Sequence, residues 1–187
     1  MYNFPDYGFD EIEGIHDRTN YDLTQHMKFS GTDLNYNDNG PDGQQKFIPW
    51  ILETSLGLGR VFLALLSEVY DKEKLDDGTE RTILRFKKKI APVKISIFPL
   101  MKKDGMPELA KEIFKKLSGE YNCQYSETAS IGKRYRKADE IGVPFCITVD
   151  YDSLKDETVT IRERDSMEQK RIKIVDLEDY FFKEFHD

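Results

Sequence analysis

Hydrophobic and polar positions change rhythm several times along the chain. From Phe9 to Glu13 they alternate, with Phe9, Glu11 and Glu13 on one side and Asp10 and Ile12 on the other. This predicts a short strand whose carboxylates share a space. Asp22 to Ser30 reads as a helix, and the Asn/Gly/Asp-rich stretch Asn35 to Gln45 as a loop or hairpin tip. Phe47 to Leu52 is an apolar strand that closes at Glu53, and Pro49 places it at an edge or a bulge. Ser55 to Arg60 is a turn feeding a helix over Val61 to Tyr70. Apolar residues nearly encircle that helix, which predicts burial on most sides. The charged run Asp71 to Glu80 predicts a flexible surface insertion.

From Ala91 the pattern becomes strand, helix, strand. Val93 to Phe98 is a strand, and Pro107 to Leu117 is a helix with proline suited to its first turn. A strand over Tyr121 to Ser126 precedes a basic helix, Ile131 to Ile141, which Gly142 ends. An apolar strand, Phe145 to Asp150, is followed by two strands, Val159 to Arg162 and Lys170 to Ile174, around a turn at Asp165 and Ser166. A closing helix covers Leu177 to Phe185. Strands alternating with helices predict an α/β fold with a partly parallel sheet covered on both faces. The change of pattern places a domain boundary between Lys87 and Pro92, giving domains 1–90 and 91–187.

Composition narrows the class. Apolar residues make up 39% and charged residues 34% of the 187, a globular balance with enough apolar side chains for a core. No run of eighteen apolar residues is present, so neither a membrane span nor a membrane partner is expected. Cys123 and Cys146 form no C-x-x-C pair and read as free thiols of a reducing cytoplasm. His16, His26 and His186 offer no i, i+4 pair, so no zinc is expected. A net charge of −7 argues against bulk nucleic-acid affinity, although a local basic patch can dominate one face.

Three constellations are able to carry chemistry. In Glu53-Thr54-Ser55-Leu56-Gly57-Leu58-Gly59-Arg60 two glycines admit a ligand close to the backbone at the start of a helix. Arg60 adds a fork for phosphate oxygens, and Glu53 a carboxylate for an ammonium group. This is neither a P-loop nor a dinucleotide fingerprint, because Phe62 stands where a third glycine belongs. Spacing alone favours the blander strand–turn–helix with a surface arginine. Asp10, Glu11 and Glu13 form a carboxylate cluster able to hold magnesium against phosphates, the bland alternative being a solvated acidic strand. Lys133, Arg134, Arg136 and Lys137 crowd one helix around Tyr135, with Arg162, Arg164, Lys170 and Arg171 nearby on a hairpin. Such a patch suits an RNA backbone and an unstacked base, and a solvated helix face partly neutralised by Asp139 and Glu140 serves equally well.

The first of these runs, extended back to Ile51, resembles motif 3 of class II aminoacyl-tRNA synthetases in the form used by glycyl-tRNA synthetases. Glu11 to Leu23 is similar to that family's E-[LI]-x-G-x-A-D-R-T-x-Y-D-L segment. Ser130 to Gly142, Thr148 to Asp152 and Arg162 to Met167 resemble its anticodon-binding domain. The likeness runs nearly end to end, in one order. It implies the last part of an antiparallel-sheet catalytic domain over 1–90, followed by a mixed-sheet α/β anticodon-binding domain over 91–187.

The resemblance also implies roles. Glu53, Thr54, Ser55, Leu56 and Gly57 would enclose glycine, with Glu53 receiving its ammonium group. Glu11, Ile12, Gly57, Leu58, Gly59 and Arg60 would meet ATP, with Glu11 beside the phosphates and their magnesium. Glu53 and Arg60 would then face one shared cavity. Lys133, Arg134, Arg136, Lys137, Arg162 and Arg164 would contact tRNA(Gly). The implied reaction is glycine–tRNA ligation with Mg-ATP, in a full-length homodimer. Thr54 stands where the family usually has proline, and His16 where it usually has alanine. The family's first two motifs have no counterpart in these residues, so the chain alone is expected not to form glycyl-adenylate. Uncovered apolar surface in 1–90 is expected to aggregate or to pair with a separately made N-terminal fragment. The alternative is a non-catalytic module for RNA or protein, as in a polymerase accessory subunit, though Glu11, Glu53, Ser55 and Arg60 favour the enzyme.

Overall fold

The computed structural model describes residues 1–6, 8–41 and 43–186. Its contacts divide the chain into two compact units, Met1–Glu68 and Val69–Asp187.

The first unit is built of small ribbons. β1 (Tyr2–Phe4) pairs antiparallel with β2 (Gly8–Asp10). β3 (Glu13–Thr19) leads into helix α1 (Tyr21–Ser30), which ends at Gly31 in the left-handed conformation that glycine adopts without a Cβ penalty. The stretch expected to be a loop or hairpin tip is the tip of the hairpin β4 (Tyr36–Asp38) and β5 (Gln45–Phe47), and Asp42 within that stretch lies outside the described residues. β6 (Ile51–Leu56) pairs with β3 and leads into the glycines at 57 and 59. The strand starts only after Pro49, and Ser55 and Leu56 belong to it rather than to a turn. Helix α2 (Leu58–Val69) follows.

The expected burial of α2 is corrected. Leu58 is 81% and Phe62 59% exposed, and among the described residues the buried hydrophobic side chains of this unit are Phe4 and Ala64. Two-stranded ribbons offer too little apolar face to enclose an all-round apolar helix.

The second unit opens with the hairpin β7 (Tyr70–Lys74) and β8 (Glu80–Leu84), where the sequence predicted a flexible insertion. Ile83 and Arg81 are both essentially inaccessible, so the hairpin is part of the unit. By its contacts the second unit accordingly begins at Val69. A five-stranded sheet follows, in the order β10 (Cys123–Tyr125), β9 (Ile95–Pro99), β11 (Phe145–Val149), β12 (Thr158–Glu163), β13 (Gln169–Lys173). β9 pairs parallel with β10 and β11, and β12 pairs antiparallel with β11 and β13. β9 and β11 are buried at every position, as strands covered on both faces are.

On one face of the sheet lie α3 (Met106–Leu117) and α6 (Leu177–His186). Ala110, Ile113, Leu117, Phe181 and Phe185 pack there on Ile95, Ile97, Phe145 and Ile147 in the main core. On the other face α4 (Ile131–Glu140) covers Phe98 and Cys146 through Ala138, Ile131 and Tyr135. A short helix α5 (Ser153–Asp156) links β11 to β12. Gly142 ends α4 with φ +78°, and a Cβ there would lie 2.8 Å from the Leu84 carbonyl oxygen.

Candidate functional sites

In the first unit a cleft of about 500 Å³ is lined by Asp10, Glu11, Ile12, Ser55, Leu56, Gly57 and Arg60. Its geometry follows from β6 feeding α2 through Gly57. The helix begins at once, with Val61 N–H donating to the Gly57 carbonyl at 3.0 Å. The first turn of α2 therefore presents unpaired N–H groups beside the cleft. The Arg60 stem folds back on Gly57, whose absent side chain leaves 3.6 Å to its methylene carbons. The guanidinium donates to the Glu11 carbonyl and pairs with the Asp10 carboxylate at 3.0 Å. Asp10 in turn accepts from the Glu11 N–H at 2.7 Å. A cation, two carboxylates and a helix N-terminus thus meet at one opening, a set suited to a phosphorylated ligand with a divalent cation.

Of the residues expected around glycine and ATP, this cleft gathers Glu11, Ile12, Ser55, Leu56, Gly57 and Arg60. Glu53, Thr54, Leu58 and Gly59 are not among its lining. The expectation that Glu53 and Arg60 share a cavity does not hold in this conformation. Glu53 is gripped by Arg18, with Nε to Oε2 at 3.3 Å and Nη2 to Oε1 at 3.1 Å. The hydrogen bond from Arg18 lowers the Glu53 pKa, and the reciprocal bond raises that of Arg18.

Arg18 is the residue that sequence reasoning missed. It is the extra residue of a bulge, since Asp17 pairs with Leu52 but Thr19 with Ile51. No local pattern marks it: the antiparallel register set by the fold places His16 opposite Glu53 and so Arg18 diagonal to it. His16, the unusual residue of the segment, folds over Gly14, where any Cβ would collide with its imidazole.

In the second unit a cleft of about 310 Å³ opens where β9 and β10 end and α4 begins. Its walls include Phe98, Tyr125, Ser126, Lys133, Arg134 and Lys137. α3 joins β9 to β10, and α4 carries the chain across to β11 on the other side of β9. The carboxyl ends of parallel strands at such a reversal form a crevice where α/β sheets bind ligands. Lys133 and Lys137 are exposed at its rim.

Three of the six expected tRNA contacts are corrected, because their side chains are buried and engaged. Arg134, 6% exposed, donates to the carbonyls of Pro99 at 2.7 Å, Ser126 at 3.2 Å and Leu100 at 3.2 Å. Desolvation draws its pKa down. Its Nε is buried without an acceptor among the described residues. Arg162 forks onto Asp139 at 2.9 and 3.1 Å and lies over the Tyr135 ring. Arg164 donates to the carbonyls of Leu84, Gly142 and Phe86. A guanidinium so placed is not free to meet a phosphate. Arg136 is half-committed, donating to the Glu80 carbonyl at 3.0 Å and to Thr79 Oγ1 at 3.3 Å.

Comparison with known proteins bears on both units. The family described as an anticodon binding domain matches residues 94–184. The chain is 54% identical over 175 residues to a glycine–tRNA ligase of Treponema denticola, covering 91% of this chain and 38% of that protein. It is 51% identical to one of Clostridium acetobutylicum, covering 96% and 38%, and 50% identical to one of Borrelia hermsii, covering 96% and 40%. The chain thus spans about two-fifths of the length of the curated relatives it matches.

Proposed function

We propose that the chain, about half identical to glycine–tRNA ligases and matching an anticodon binding domain over residues 94–184, is the tRNA-binding part of such a ligase joined to the end of its catalytic domain. The observation that carries this reading is identity of about one half over more than nine-tenths of the chain. In the proposal, residues 1–90 close the glycine and ATP site and residues 91–187 hold the anticodon of tRNA(Gly). The whole ligase works as a cytoplasmic homodimer.

Arg60 and the first turn of α2 meet ATP, and Glu11 stands by the phosphates and their magnesium. Ser55, Leu56 and Gly57 border glycine, with Thr54 behind them and Leu58 and Gly59 forming the backbone platform for the nucleotide. Glu53 receives the ammonium group once Arg18 yields it, an exchange of one cation for another at an exposed carboxylate, where an ion pair is weak. A glycine carboxylate oxygen then attacks the α-phosphorus and pyrophosphate leaves; a hydroxyl of the terminal tRNA ribose next attacks the glycyl carbonyl, and AMP leaves as the ester forms. The open apolar side chains Trp50, Leu52, Leu58 and Phe62 suit the edge of a larger domain, which further chain or a separate N-terminal fragment covers.

At the second site Lys133 and Lys137 take phosphates, the half-buried Tyr125 offers ring edge to an unstacked base, and Arg134 is the frame that fixes the loop after β10. Equilibrium binding of two tRNA transcripts, one with a glycine anticodon and one with that triplet replaced, tests the reading. The expected preference is about 10-fold or more, that is about 1.4 kcal/mol. Equal affinity for both transcripts defeats it. Pyrophosphate exchange on the chain alone is expected to show no glycine dependence, and clear exchange would overturn that part.

A further inference from the structure

The second unit carries a larger cavity, of about 680 Å³, at the other end of its sheet. There Lys88 stands 4.8 Å from the ring of Phe145, the first residue of β11, and Arg164 N–H donates to the Pro144 carbonyl. The walls are the segment 85–90 after β8, the turn at Arg164 and Asp165, and the last turns of α6 at Lys183 and Glu184. Six of the lining side chains are cations and two are carboxylates, in a chain whose net charge is −7.

Half of those cations are used internally. Arg85 pairs with Asp71, Glu73 and Asp165. Lys88 pairs with Glu163 and Glu184, and Arg164 with Asp165. The surplus is Lys87, Lys89 and Lys183, all exposed. Lys89 reaches the His186 carbonyl at 3.2 Å, while the ammonium groups of Lys87 and Lys183 have no hydrogen-bond or ion-pair partner among the described residues.

Lys183 projects from α6, and Lys87 and Lys89 sit on a braced turn rather than a loose strand of chain. Ile90 and Ala91 N–H groups donate to the Lys87 carbonyl. Lys94 Nζ donates to the carbonyls of Lys88 at 2.8 Å and Lys89 at 2.7 Å. Arg164 holds the carbonyls of Leu84 and Phe86 from the other side. The lining also includes the buried Phe86 and the half-exposed Ile90. A bare inorganic anion needs donors all round. An apolar floor among three point charges instead suits a ribose flanked by phosphates, and lysine contacts of this kind position a backbone without reading its sequence.

We infer that this cavity is a second RNA site, taking the sugar–phosphate backbone of the tRNA away from its anticodon. The inference rests on the tRNA reading above. Strands of about 3.3 Å rise per residue put the two sites roughly 17 Å apart along β9, so one nucleotide cannot occupy both whereas a tRNA can.

The test is the affinity of the whole chain for a tRNA transcript with a glycine anticodon, measured across salt concentrations. Three variants are compared with wild type: Lys87→Ala/Lys89→Ala/Lys183→Ala, the rim double variant Lys133→Ala/Lys137→Ala, and Lys72→Ala/Lys155→Ala/Lys173→Ala. The last removes equal charge from elsewhere on the second unit. The first triple is expected to weaken binding by about 10-fold or more and to make the log–log salt slope shallower by roughly 2, while leaving the anticodon preference intact. Unchanged affinity and slope in that triple, with the rim variant weakened, overturns this site alone and leaves the lysines to an acidic protein surface. An equal loss in the control triple overturns it too, by reducing the effect to net charge. No binding by wild type removes both this site and the tRNA reading.

Discussion

Replacing Asp139 by Asn should cost the second unit about 3–5 kcal/mol, the usual penalty for breaking a buried ion pair from one side. Asp139 has no accessible side-chain surface, and neither has Arg81. Its oxygens accept from Arg162 at 2.9 and 3.1 Å and from Arg81 at 3.2 Å. Asparagine keeps one acceptor oxygen but turns an NH2 group toward a guanidinium, so a donor faces a donor, Arg162 loses its countercharge and Arg81 is left with Glu73 alone. At an m-value of about 2 kcal/mol/M the urea midpoint falls by roughly 1.5–2.5 M. Trp50, the single tryptophan, lies in the first unit and is exposed. The assay is therefore far-ultraviolet circular dichroism together with hydrogen exchange of the β9 and β11 amides. The apolar triple Arg81→Met/Asp139→Leu/Arg162→Met should retain most of the stability, because matched apolar groups restore packing with no charge to compensate. A midpoint shift below about 0.5 M for Asp139→Asn refutes the reasoning.

Gly142→Ala places a side chain at φ +78° and against the Leu84 carbonyl, and should lower stability by about 1–3 kcal/mol; a melting temperature equal to wild type contradicts it. Acid should weaken the hairpin β7–β8. The hydrogen bond from Arg81 lowers the Glu73 pKa, and that from Arg85 lowers the Asp71 pKa. The unfolded chain then binds more protons, so this stabilisation is full above the unfolded carboxylate pKa of about 4 and is lost as pH falls through the folded values. Urea midpoints taken from neutral pH downward should fall in acid, less steeply in Glu73→Gln; a midpoint that holds or rises in acid contradicts the assignment.

Sequence periodicity located the second unit well, because burial on both faces leaves continuous apolar runs such as Phe145–Val149 and because Gly142 ends α4 where only glycine is comfortable. It failed where charge was not at the surface. The hairpin over 70–84 reads as solvated from its Asp, Glu and Lys content, yet Arg81 anchors it in the interior through Asp139. Arg134, Arg162 and Arg164 read as a basic patch for the same reason, since composition cannot tell a guanidinium facing a phosphate from one facing carbonyls. In the first unit the glycine-rich run and its carboxylate neighbours were legible, but the partner of Glu53 depended on a strand register that only the fold sets. α2 shows the opposite error: its apolar surface was visible in the sequence, whereas its exposure depends on what packs against it.

The proposed anticodon site is tested most directly by amide hydrogen exchange of the chain with and without a short anticodon stem-loop RNA carrying a glycine anticodon. Slowed exchange should concentrate in residues 124–137, where β10 ends and α4 begins. If those amides exchange at the same rate with RNA bound, while protection falls elsewhere, the cleft between Tyr125 and Lys133 does not hold the anticodon.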